Sequence, residues 1–195
     1  MVLGHYAAAY IARPHARQAP FWLLLLCSNL AEFLWLVLAL AGVEATQPPS
    51  ILDATFANLE VHMTYSHNLL PNLALGLIVG IVVWAIYRDR NLALWCSGLT
   101  VLHVWSDYIV GFQHEVLGPH SMKIGLNSYG RFPHGAILIE WAFAMACLYY
   151  YRTKMRSQVG HAVDKKTAIL AIAFSIGILA WLPSATIPMR AMLPF

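Results

Sequence analysis

Five long apolar runs, at about 20–43, 68–87, 91–112, 133–152 and 167–187, set the limits on what this chain can fold into. A membrane-spanning helix needs about 20 predominantly apolar residues. Five such runs therefore occupy roughly half of the 195 residues and leave no room for a separate soluble catalytic domain. Composition agrees: 59% of residues are hydrophobic and 11% charged, against roughly 25% charged in soluble domains. The expected fold is an all-α integral membrane protein, a single domain over 1–195 with about five transmembrane helices. Any chemistry has to come from side chains on the spans or on short loops.

The breaks between runs are legible. Gln47-Pro48-Pro49-Ser50 closes the first run, Arg88-Asp89-Arg90-Asn91 forces a tight turn, and a polar stretch from Arg152 to Lys166 precedes the last. Interfacial aromatics such as Trp22, Trp84, Tyr87 and Tyr149–Tyr151 sit near run ends, as they do at bilayer surfaces. Nine of the twelve Lys and Arg residues fall on one side of the five-span topology; Lys123, Arg131 and Arg190 fall on the other. The positive-inside rule then puts the N terminus in the cytoplasm and the C terminus outside. The longer outer loops are about 44–67 and 113–132. Residues 1–13 are apolar but too short to span, and Pro14 pushes its predecessor away from helix. They read as a half-helix, on the surface or re-entrant; a re-entrant one would lift His5 towards Glu32. No cleavable leader pattern is expected at the first run.

The small charge of +3 shows no basic stripe, which excludes nucleic acid as a partner. Cys27, Cys96 and Cys147 all lie in apolar runs and read as small hydrophobes rather than a disulfide framework.

Ionisable groups inside the apolar runs carry the functional signal. Glu32 lies near the middle of the first, His103 and Asp107 in the third, and Glu140 in the fourth. A charge at mid-bilayer costs on the order of 2.5–3.5 kcal/mol, so several in so small a chain point to mutual neutralisation or a bound cation. His103 and Asp107 are four apart and share a helix face, the geometry by which one helix offers two ligands to a metal. His62, Ser66 and His67 lead into the second run, and His114 follows the third. His120 and His134 read as ordinary loop histidines.

These residues, in this order, resemble a family of small bacterial integral membrane proteins, the membrane-bound metal-dependent hydrolases. The family pattern has an N-terminal Gly-His, an acid followed by Leu-Trp in the first span, then Ser-His-Ser at the second. His-x-x-x-Asp-x-x-x-His-x-x-Asp, Lys-x-Gly-Leu, an aromatic and a later Glu complete it. Here Gly4-His5, Glu32-Phe33-Leu34-Trp35, Ser66-His67-Asn68, His103 and Asp107 match in turn. Lys123, Gly125, Leu126, Tyr129 and Glu140 follow. The likeness runs from about residue 4 to 152. Gly111 stands where the family has its second His and His114 where it has its second Asp. That exchange either preserves the ligand count with shifted geometry or marks a member without catalysis.

The resemblance implies a metallohydrolase of the bacterial inner membrane. A divalent metal, Zn first and Mn or Fe as alternatives, would be held by some of His5, His67, His103, Asp107 and His114. Glu32 or Glu140 would be a general base or an outer carboxylate, with Ser66 as an alternative nucleophile. The substrate would be a lipid or lipid-soluble ester, amide or phosphoester entering from the bilayer. A reading of another class is a non-catalytic subunit or assembly factor of a larger membrane complex, and homo-oligomers are open under either. Bis-His haem ligation by His67 and His103 is disfavoured by the nearby carboxylates, and transport by the lack of internal symmetry.

Overall fold

The computed structural model describes residues 1, 3–50 and 52–192. Eight helices carry the argument: α1 (Gly4–Ala12), α2 (Phe21–Ser28), α3 (Leu30–Leu40), α4 (Leu69–Tyr87), α5 (Arg90–Val110), α6 (Ser128–Arg131), α7 (Pro133–Val159) and α8 (Ala162–Leu179). Two antiparallel ribbons of two residues per strand interrupt the loops. β1 (Thr46–Gln47) pairs with β2 (Glu60–Val61), and β3 (His114–Glu115) with β4 (Lys123–Ile124). The all-α expectation is met.

The expectation of five spans is corrected. Among the described residues, two helical segments are long and apolar enough to cross a membrane, Leu69–Tyr87 and Ala162–Ala185, or three if α2 and α3 count as one span bent by 57°. The other two runs fall short because ionisable residues lower their hydropathy, and several of these are turned inward. On α5, Thr100, His103, Ser106 and Asp107 are buried beside Leu92, Cys96, Leu99 and Val104. On α7, buried Glu140 sits among Ala136, Ile137 and Ala144. Each helix carries buried polar residues on its inward face and exposed apolar ones, such as Leu94 and Leu138, on the other. On α4, by contrast, large apolar side chains such as Leu77, Ile78, Ile81 and Ile86 are exposed. All three cysteines are free and buried.

Helix α1 lies within the bundle, against α7, α2 and α5. Its small residues make that depth accessible: Ala7, Ala9 and Ala12 are fully buried, and small side chains let helix backbones approach closely. The same device joins α4 to α5, where a Cβ on Gly76 would stand 2.6 Å from Val101 Cγ2. The expected turn between α4 and α5 forms with Arg88 at φ +55°, and Asp89 accepts from Leu92 N–H at 3.0 Å to cap α5. The polar stretch from Arg152 is mostly helical rather than loop. It breaks at Gly160, and Arg152 Nε donates to Asp164 Oδ1 at 2.7 Å across the corner.

The loops over 44–50, 52–67 and 113–127 close one end of the bundle. Glu115 N–H donates to Asn68 Oδ1 at 2.9 Å, Leu126 N–H to the Tyr108 carbonyl at 2.7 Å, and Phe56 N–H to the Ser184 carbonyl at 3.1 Å. Between this cover and the ends of α1, α3 and α5 lies the site.

Candidate metal centre

The break between α2 and α3 is where the site begins. At Ser28–Asn29 the helix turns by 57°, and two carbonyls there accept from α5. Cys27 O takes the Thr100 hydroxyl at 3.1 Å, and Ser28 O takes His103 Nδ1 at 2.8 Å. A carbonyl only accepts, so the hydrogen-bond network assigns the His103 proton to Nδ1 and leaves Nε2 with a free lone pair.

The same reasoning fixes His67. Ser66 Oγ lies 2.6 Å from Glu44 Oε2, and the carboxylate makes the hydroxyl its donor. His67 Nδ1, at 2.8 Å from that hydroxyl oxygen, is then a donor too. Its Nε2 is left as an acceptor, 3.2 Å from His103 Nε2. His5 completes the set from α1. Ser106 donates its hydroxyl to His103 O at 2.7 Å, so the Ser106 oxygen accepts from His5 Nδ1 at 3.4 Å. Among the described residues, His5 Nε2 has no hydrogen-bond partner.

Three imidazole lone pairs therefore converge on Asp107. Its carboxylate stands 3.3 Å from His5 Nε2, 3.5 Å from His103 Nε2 and 3.6 Å from His67 Nε2. Glu32 Oε1 is 4.0 Å from His103 Nε2. Ligand atoms of His5, Glu32, His103 and Asp107 all lie within 4.8 Å of one another. Acceptors crowded together without protons repel one another unless a cation joins them. The spacing suits one: bonds of about 2.0–2.2 Å to a tetrahedral centre put the ligand atoms about 3.3–3.6 Å apart. The Met1 amine is ion-paired with Asp107 at the same point, where a positive charge balances the carboxylates. The residues present fit a divalent metal with nitrogen and oxygen ligands.

What surrounds the donors holds them still. The rings of His5 and His103 stack at 3.5 Å between centroids and 16° between planes. Glu140, taken from sequence as a candidate base, is 2% exposed. Its Oε1 accepts from Leu3 N–H and Gly4 N–H, each at 2.7 Å, and its Oε2 from the Tyr129 hydroxyl at 2.8 Å. It thereby caps α1 and anchors the helix that delivers His5. Ser66 is fully buried and bonded on both sides. His114 lies beside the centre, with its ring 5.3 Å from that of His67. Burial pushes its imidazole down to about 4, so it is neutral at physiological pH. His62, His120 and His134 are exposed.

Sequence reasoning missed Glu44, which is 1% exposed and accepts from the backbone N–H groups of Tyr65 and Ser66 as well as the Ser66 hydroxyl. The signal was an acid at the end of an apolar run, which reads as the start of a loop. Carboxylates that orient a metal-bound histidine at one remove are typically worth about 10–100-fold in metal affinity. Both Glu44→Gln and Ser66→Ala are accordingly expected to weaken metal binding by about that factor in a chelator competition. Wild-type affinity in both variants would remove His67 from the ligand set.

Beside the centre lies a cavity of about 340 Å³. Asn29, Glu32, His67, Asp107 and His114 line its polar part, and Phe56, Leu59, Met63, Phe112 and Trp181 its apolar part. Comparisons with protein-family models, curated proteins and solved structures return no match to the chain.

Proposed function

We propose that the chain is a membrane-embedded metal-dependent hydrolase acting on a lipid or lipid-soluble ester, amide or phosphoester. The observation that carries the reading is the convergence of three lone-pair imidazole nitrogens and Asp107 on the edge of an apolar cavity. A hydrophobic pocket with a few convergent polar groups is the usual form of a small-molecule site. The ordered likeness to membrane-bound metal-dependent hydrolases supports the same conclusion. So do the exposed apolar faces of α4 and α8, which suit a lipid surround.

A divalent cation held by His5, His67, His103 and Asp107, Zn first by ligand type, would supply a Lewis acid able to acidify water and polarise an acyl or phosphoryl oxygen. The protein's own part falls to Glu32. Its side chain is 31% exposed and lines the cavity, while Asp107 is nearly enclosed at 5%. Glu32 is the carboxylate that can meet both water and substrate, and in this reading it takes the proton from the attacking water and returns it to the leaving group.

Two variants separate binding from chemistry. Elemental analysis of detergent-purified wild type should find about one metal per chain, and His103→Ala none. Glu32→Gln should keep its metal and lose about 10²–10⁴-fold in turnover. Full metal in His103→Ala would overturn the ligand assignment; loss of metal from Glu32→Gln would make Glu32 a ligand rather than the base.

A further inference from the structure

Helix α3 forms one wall of the cavity and is held there by little. Among its described residues Ala31 alone is buried. Phe33, Leu36, Val37 and Leu40, at the spacing of one helix face, are all exposed. Glu32 and Trp35 are three apart, share the other face and line the cavity. A single helix thus separates the cavity from the outside, which is lipid if the chain is embedded. Beyond the turns at its two ends, α3 makes no hydrogen bond to another helix or to the covering loops among the described residues. Glu32 Oε1 comes no nearer than 4.0 Å to His103 Nε2.

Both ends of α3 are joints beside fixed anchors. At the first, Asn29 N–H reaches Leu26 O at 3.1 Å, so the backbone donor that a continuous helix would offer Leu25 O is missing. The Asn29 amide and the Ser28 hydroxyl fill that place, each at 3.0 Å from Leu25 O. Bent and straight forms can therefore satisfy the same carbonyl. Just upstream, Cys27 O and Ser28 O are held by α5. At the second joint Ala41, Gly42 and Val43 are exposed. Gly42 has φ +73°, and a Cβ added there would meet nothing within 4 Å. Just downstream, Glu44 is buried and bonded to Tyr65 and Ser66. An 11-residue rod of about 16 Å lies between them. Hinges of moving segments are a few end positions that absorb the change in φ and ψ.

We propose that α3 is a gate between the cavity and the bilayer. It swings about Asn29 and Gly42 to admit an amphiphile from lipid and, on closing, brings Glu32 and Trp35 to the metal ligands. This rests on the membrane-embedded hydrolase reading and gives that site its entrance. None of His5, His67, His103 and Asp107 lies on α3, so opening spares the ligand set while withdrawing the proposed base. Trp35 adds a second reason to close. Its buried Nε1–H has no hydrogen-bond partner among the described residues, and an indole N–H only donates. An acceptor oxygen on the entering molecule, acyl or phosphoryl, would satisfy it with the gate shut. Closure of this kind excludes water and completes a catalytic set only when substrate is present.

The test uses the full chain in lipid nanodiscs. Ala54→Cys puts a thiol at a buried position on the cavity wall. The native cysteines are buried, and the wild type measures their background. Alkylation is followed by intact mass with N-dodecylmaleimide, which partitions into the bilayer, and with a sulfonated maleimide, which stays in water. The bilayer reagent should label at least about tenfold faster relative to each reagent's rate on an exposed control thiol. Adding Asn29→Leu removes the amide that holds the break and should speed that labelling about three- to tenfold, the equivalent of one hydrogen bond. Spin labels at Val37→Cys and Ile81→Cys, both exposed positions, report α3 motion with Asn29 intact. Their distance distribution should be bimodal, or broader than that of a control pair at Ile81→Cys and Ile172→Cys. Equal or faster labelling from water would make the loops the entrance and overturn the gate. An α3 distribution as narrow as the control, or an unchanged rate in folded Asn29→Leu, would overturn it too. Neither measurement uses metal or turnover, so a chain without metal would overturn the hydrolase reading and leave these results standing.

Discussion

Asp107→Asn is expected to weaken metal binding by a hundredfold or more, a larger loss than any change at Glu44 or Ser66 should cause. The substitution keeps the shape of the side chain and removes the charge on which the site converges. Asp107 is 3% exposed and faces His5, His67 and His103 at 3.3–3.6 Å. An amide in its place offers one neutral oxygen and brings N–H donors into a space shaped by acceptors. The cation would then be held by neutral imidazoles alone, with Glu32 near but not bound to it. The consequence is also visible in stability. A ligand that binds the folded chain stabilises it by RT ln(1 + [L]/Kd), about 2.7 kcal/mol at a hundred times Kd. Titrating Zn into detergent-purified wild type should raise its Tm steadily, and the same titration should leave Asp107→Asn unmoved. A variant that retains a full metal complement and the same Zn-dependent Tm would mean that the three histidines bind without the carboxylate.

How much of this was legible beforehand depends on the range over which each residue acts. His103 and Asp107 are one turn apart on one helix, so spacing alone put them on one face, and they share the centre. His5 and Glu32 were linked through the idea of a short helix rising into the bundle, and their ligand atoms do meet. The pairing of Ser66 with Glu44 was invisible because it joins positions 22 apart through a loop whose path no local pattern encodes. The bend at Asn29 was also hidden. The 20–43 run is apolar almost throughout, and what holds its break is tertiary: α5 supplies Thr100 and His103 as donors to carbonyls there. Five spans are expected from the sequence because an apolar run stays visible even where a few ionisable residues lower its hydropathy below that of a span. Helices α5 and α7 are apolar enough to be noticed, yet His103, Asp107 and Glu140 lie buried on them among apolar neighbours. The side chains that make the site are the same ones that bring these helices below the hydropathy of a simple span.

Glu140 offers the other large effect, because two assignments of the same carboxylate give opposite results. Sequence order made it a candidate base, whereas its contacts make it the cap of α1. Removal by Glu140→Leu leaves the Leu3 and Gly4 N–H groups and the Tyr129 hydroxyl without their acceptor. Each buried group left unsatisfied costs about 1–3 kcal/mol, so a loss of about 3 kcal/mol or more is expected. The damage concentrates on α1, whose first turn is held by that carboxylate. With α1 loosened, His5 leaves the centre, and metal content should fall although Glu140 touches no ligand atom. Glu140→Gln is the discriminating variant. Its amide oxygen can still accept from both N–H groups, and the Tyr129 hydroxyl can rotate to accept from the amide nitrogen. Stability, metal content and turnover should all stay near wild type if the carboxylate is a cap. Wild-type Tm and metal with turnover abolished would instead return Glu140 to the proton-transfer chemistry. That would displace Glu32 as the sole base, because a cap needs only acceptors whereas a base needs the charge.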